Sequence, residues 1–150
     1  MDNIKQTSML DSILENATLD DFEKYISDHN TDTYTKLSDY LNDYIAEHSL
    51  VLSEVIKKSM LSRDYAYSIF NGHRENPTRA RVIAICLSCG MNLECVQRAL
   101  KICNAGVLYS KNNRDAAIMI CINRDIRTVE KVNDFLYNHD MEPLKTSKDV

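Results

Sequence analysis

Apolar residues recur every three or four positions along most of the chain, with polar residues between them, and this period predicts helices. Leu37, Tyr40, Leu41, Tyr44 and Ile45 mark one such face over Thr35–His48, with Asp39, Asp43 and Glu47 on the outer side. A short helix is predicted over Ser53–Ser59, with Val55 and Ile56 apolar, followed by a turn at Met60-Leu61. Ser62 is placed to cap the next helix, Arg63–Asn71, because its hydroxyl can accept a bond from an early amide. In that helix Ala66, Ile69 and Phe70 face inward, leaving Arg63, Asp64, Tyr67, Ser68 and Asn71 outside. Gly72 can adopt the positive φ that ends a helix.

A polar loop, His73–Thr78, contains Pro77. A helix over Thr78–Ser88 follows, with Ala80, Val82, Ile83, Ile85, Cys86 and Leu87 largely buried; Gly90 ends it. Asn92 caps Leu93–Cys103. Asn104–Ser110 reads as a loop, with Leu108 and Tyr109 expected to close over the core. Asn112 or Asn113 caps Arg114–Ile122, whose AAIMICI is apolar nearly all round and therefore expected to be buried on several sides, against the core or a second subunit. The last predicted helix is Thr128–Asn138; Pro143 stops the pattern and Lys145–Val150 reads as a frayed tail. At the other end, residues 1–32 suggest two short helices capped by Ser8 and Thr18, then a linker over His29–Thr33.

Composition agrees with an all-α fold. Only 3 Gly and 2 Pro interrupt 150 residues, and 44% hydrophobic content suffices for a core. No apolar run approaches the roughly 20 residues needed to span a bilayer. The N-terminus MDNIKQTSML lacks the form of a signal peptide. A cytoplasmic location without a membrane partner is expected.

The stretch Ser53–Arg79, SEVIKKSMLSRDYAYSIFNGHRENPTR, reads as two short helices joined by a tight turn, with a polar outer face on the second. That is a helix-turn-helix arrangement. Through Glu54, Val55, Ile56, Ser62, Ile69, Asn71, Gly72 and Pro77 it resembles the phage-repressor or xenobiotic-response-element (XRE) type of helix-turn-helix domain, over roughly residues 34–104. Where that family often has Gln, a turn Gly and a Glu before Asn-Gly, this chain has Leu52, Met60 and Phe70. The resemblance implies a five-helix, lambda-repressor-like core over residues 33–104. An acidic helical appendage (1–32) and a C-terminal helical extension (105–150) flank it. The pieces Arg114-Asp115 and Val132-Asn133-x-x-Leu136 are also similar to a group of uncharacterised bacterial regulator-like proteins.

By the same resemblance the expected function is sequence-specific binding of double-stranded DNA in transcriptional regulation. Arg63, Asp64, Tyr67 and Ser68 then face base edges in the major groove. Lys57, Lys58, Asn71, Arg74, Asn76 and Arg79 are expected at phosphates. One such domain buries little surface on DNA, so a homodimer on two half-sites is expected, with Arg114–Ile122 and Thr128–Asn138 as its contact elements.

The formal net charge is −4, but its distribution is uneven. Residues 1–50 hold 11 acidic and 3 basic side chains; residues 51–110 hold 4 and 8; residues 111–150 hold 7 of each. Positive charge thus gathers where phosphate contact needs it. Arg79 and Arg81 stand in the first turn of their helix, where a cation opposes the helix dipole, and that placement favours an anionic partner. The alternative function is a protein-interaction module on the same fold that does not bind DNA. It rests on Leu52, the acidic total, and Tyr67 as an exposed aromatic anchor.

Five cysteines (Cys86, Cys89, Cys95, Cys103, Cys121) are an odd number and fit free thiols. Cys86 and Cys89 form a CxxC inside an apolar helix, so small buried hydrophobes are expected rather than a zinc knuckle. His29, His48, His73 and His139 are isolated, and no nucleophile elbow, phosphate-cradling Gly loop or dinucleotide fingerprint occurs. No enzymatic activity, cofactor or metal is expected.

Overall fold

The computed structural model describes residues 34–146, which contain seven α-helices and no strand. The helices are α1 (Leu37–Glu47), α2 (Leu52–Lys58), α3 (Arg63–Phe70), α4 (Arg79–Ser88), α5 (Leu93–Ile102), α6 (Asn113–Asn123) and α7 (Val129–Asn138). The expected helices of the acidic segment 1–32 lie outside the described residues.

Each boundary has a local cause. Ser62, Asn92, Asn112 and Thr128 accept a bond from the amide three residues on, satisfying one of the donors that a helix start leaves open. Thr78 and Lys36 precede α4 and α1 without a side-chain cap, and Lys36 is extended, so α1 begins two residues later than its period suggested. Gly72 and Gly90 adopt φ of 84° and 73° just past α3 and α4.

Helix α4 lies at the centre, with every residue from Arg81 to Leu87 buried. It packs against α2, α5 and α7; α1 packs on α3 and α5, α2 on α3, and α6 on α5 and α7. Leu41, Ile69, Ile83, Ile85, Leu87, Met91, Leu100, Ile118, Ile122 and Leu136 fill the space between them. Burying each such side chain contributes roughly 1.5–3 kcal/mol before chain entropy is subtracted. The apolar helix α6 is buried by its own chain at Ala117, Ile118, Cys121 and Ile122, leaving Ile120 exposed.

Polar side chains fix the loops to this core. Gln97 is buried and bonds Leu108 twice, its Nε2 donating to the carbonyl at 2.9 Å and its Oε1 accepting from the amide at 2.7 Å. Leu108 is thereby sealed in the core, whereas Tyr109, expected beside it, is half exposed. Arg127 donates to the Ile122 and Gly90 carbonyls, tying the α6–α7 loop to the α4–α5 loop. The segment after α7 is also held. The Leu144 amide donates to Asn133 Oδ1 at 2.7 Å, and Arg114 donates to the Glu142 and Pro143 carbonyls. Leu144 is buried, so the packed structure extends past Pro143, where the hydrophobic period had stopped.

Asp115 organises the largest of these ties. Its carboxylate is buried, pairs with the Arg79 guanidinium, and accepts from the Tyr109 amide at 2.9 Å. Arg79 also reaches the Val107 carbonyl at 3.4 Å. Arg79, expected at a phosphate, thus has an anionic partner in the same chain, Asp115.

Two outcomes follow for stability. Arg79→Ala is expected to cost about 3 kcal/mol in urea unfolding, because it strands the buried Asp115 carboxylate, and Asp115→Ala less, because the Arg79 side chain is 31% exposed. The double substitution should cost less than the sum, and strict additivity would show that the pair is not coupled. Burial pushes the Cys89 thiol up to about 12 and the Cys86 thiol well above its usual range. Unfolded thiols ionise near pH 8.5, so between that pH and the folded values the native state holds protons the unfolded chain has lost. Stability is then complete below about pH 8.5 and falls above it, by up to about 1.4 kcal/mol per pH unit per buried thiol. Thermal unfolding in reductant from pH 7 to 10.5 measures this, and Cys89→Ala should flatten the decline.

Candidate nucleic-acid interface

The turn between α2 and α3 is built by Ser59 and Met60. Ser59 is fully buried; its Oγ donates to the Ile56 carbonyl at 2.6 Å and accepts from the Leu61 amide at 3.2 Å. Met60 takes φ of 62°, the left-handed conformation for which a glycine is favoured. Ser62 then accepts from the Tyr65 amide at 3.3 Å and starts α3. The inner side of α3 is locked by Ala66, Ile69 and Phe70. Its C-terminal end is held by Asn42 of α1, whose Nδ2 donates to the Phe70 carbonyl at 2.8 Å.

The outer side carries Arg63 and Arg74 resting on tyrosines, and the buried Arg81 meets one of the same rings. The Arg63 guanidinium lies 5.5 Å from the Tyr67 ring centre. Arg74 lies 4.2 Å from the Tyr65 ring, and Arg81 of α4 lies 4.5 Å from the same ring. Such contacts are worth about 0.5–1 kcal/mol at exposed sites, enough to limit where a long side chain points. Arg74 Nε also donates to Ser68 Oγ at 3.2 Å, while that hydroxyl donates to the Tyr65 carbonyl at 2.5 Å.

Of the four residues expected at base edges, Arg63 and Asp64 are exposed at the start of α3. Tyr67 and Ser68 are half-buried, Tyr67 packing on the core and Ser68 engaged with Tyr65 and Arg74. Tyr67 is thus not the protruding aromatic that the pattern suggested. Lys57, Lys58, Asn71, Arg74 and Asn76 are exposed. Arg79 does not join them, being held by Asp115. Three exposed carboxylates, Glu54, Asp64 and Glu75, share the stretch, so its positive excess is small.

Tyr65 was not singled out by the pattern, although it positions Arg74. Its signal is weak, because Tyr65 and Arg74 are nine residues apart across a helix end. The Arg63–Tyr67 pair stands at the four-residue helical spacing and was in principle readable.

Among the described residues no group of three or more His, Cys, Asp or Glu side chains converges to hold a metal ion, and no helix is long and apolar enough to cross a membrane.

Met60→Gly is expected to stabilise the protein by about 0.5–1 kcal/mol. It removes roughly 1–2 kcal/mol of left-handed strain and gives back roughly 0.5–1 in unfolded-chain entropy. Met60 is 56% exposed, so little burial is lost. A lower Tm for the glycine variant would contradict this. No protein-family model matches the chain, and neither the curated proteins nor the solved structures yield a match.

Proposed function

We propose that this chain is a sequence-specific DNA-binding regulator of the helix-turn-helix type, with α3 entering the major groove and a five-helix, repressor-like core formed by α1–α5. The observation that carries the proposal is the exposed first turn of α3. It follows an abrupt left-handed turn, its inner side is locked, and it presents Arg63 and Asp64 outward. Arg63 has the fork geometry to donate twice to guanine, and Asp64 can accept from cytosine. Lys57, Lys58 and Arg74 supply exposed charge for the flanking phosphates. Small size calls for a dimer on paired half-sites.

A second reading is favoured by Val51 and Met60, which are 55% and 56% exposed on either side of α2. Apolar side chains there suit a protein partner in place of DNA, and Met60 replaces Tyr67 as the candidate anchor.

Selection from a random duplex pool, followed by anisotropy at 50 and 200 mM salt, separates the two. Arg63→Ala is expected to lower discrimination about tenfold at one position. Lys57→Ala and Lys58→Ala should weaken all duplexes alike, each reducing the salt slope by about one. No salt-dependent affinity for any duplex, together with a protein partner lost on Met60→Ser, would move the assignment to the second reading.

A further inference from the structure

A polar recess of about 320 Å³ opens between the start of α1, the loop after α3 and the end of α5. Lys36, Ser38, Arg74, Asn76 and Glu75 line its polar side, and Leu37, Ile102 and Cys103 its apolar side. Three features point to one kind of guest. Helix α1 has eleven residues and no side-chain cap, and its first intrahelical bond is the long one from the Tyr40 amide to the Lys36 carbonyl at 3.4 Å. The amides of Leu37, Ser38 and Asp39 precede that bond and have no partner among the described residues. Ser38 is 91% buried, lines the recess, and its hydroxyl makes no hydrogen bond among the described residues. This leaves the hydroxyl open to bond an oxygen of a guest. Arg74 also lines the recess, and Tyr65 and Ser68 engage its guanidinium face and its Nε.

We infer that this recess is a seat for a phosphate group, carried by a monoester or a diester. Amides at a helix start, a buried hydroxyl and an arginine are the donor set that such oxygens need. Gly72 belongs to the design: a Cβ there would lie 3.3 Å from Ser38 Oγ and narrow the approach to it. The recess is larger than a phosphate alone, leaving space for the sugar or chain to which it is attached. Glu75 in the wall and Asp39 in the first turn of α1 are the opposing charges, so affinity is set by the balance between them and the donors. The seat stands apart from the major-groove proposal, since a free phosphorylated molecule can fill it without any DNA.

The test is NMR titration of the full chain with inorganic phosphate, AMP and a DNA duplex, each against chloride at matched ionic strength. Phosphate and AMP are expected to shift the Leu37, Ser38 and Asp39 amides saturably, with Kd near about 1 mM for inorganic phosphate. Ser38→Ala, whose lost hydroxyl breaks no internal bond, should weaken binding about tenfold, as should Arg74→Ala. Glu75→Gln should tighten it several-fold. Ser38→Ala that weakens the duplex as well as free phosphate assigns the seat to a DNA strand; weakening of phosphate and AMP alone assigns it to a free ligand. Shifts no larger than those with chloride for all three probes, or unchanged affinity in folded Ser38→Ala, would overturn the inference.

Discussion

The fold depends on enclosing one helix that has almost no polar side. Seven consecutive residues of α4, Arg81–Leu87, are buried, so it must be covered all round. Helices α2, α5 and α7 supply the cover, with α6 bracing α5 and α7 from behind. The contact of α6 with the start of α4 is polar: Asp115 grips Arg79 and, through Tyr109, the loop between α5 and α6. An ion pair of this kind adds little net stability compared with an apolar isostere, but it penalises any arrangement that leaves the carboxylate buried alone. It therefore fixes how α6 and its loop sit on α4, while burial supplies the free energy.

Placing α4 in this way determines what α3 can offer. Arg81 projects from α4 onto the Tyr65 ring, and Arg74 reaches the same ring from the loop. The tyrosines of α3 thus serve as half-buried platforms, with Arg63 and Arg74 exposed upon them and Arg81 buried behind Tyr65. Flexible arginines lose side-chain entropy when they bind, and partial ordering beforehand reduces that cost. Arg74 also lines the recess at the start of α1, so the candidate phosphate contacts and that recess share one residue.

The turn before α3 runs against local preference. Met60 accepts a left-handed backbone without being glycine. Ser59 stabilises that turn from inside, with a hydroxyl that both donates and accepts. Strain of roughly 1–2 kcal/mol persists only where surrounding contacts overdetermine it.

The sequence by itself determined the helices from residue 35 onward, because short-range rules set them: a three-to-four residue apolar period throughout, a capping Ser, Asn or Thr at four of the seven starts, and a Gly after α3 and α4. It also determined that α4 is enclosed, since it has almost no polar face to show to water, whereas α6, apolar nearly all round in sequence, leaves Ile120 exposed. Only the tertiary structure decided the partners. Arg79 and Asp115 are far apart in the chain, as are Gln97 and Leu108, or Asn133 and Leu144, and no local pattern records that they meet. For the same reason Arg79 looked like a free cation and Tyr67 like a free aromatic. Which side chains remain available for a ligand depends on which the chain has already used, and that is a property of packing in three dimensions.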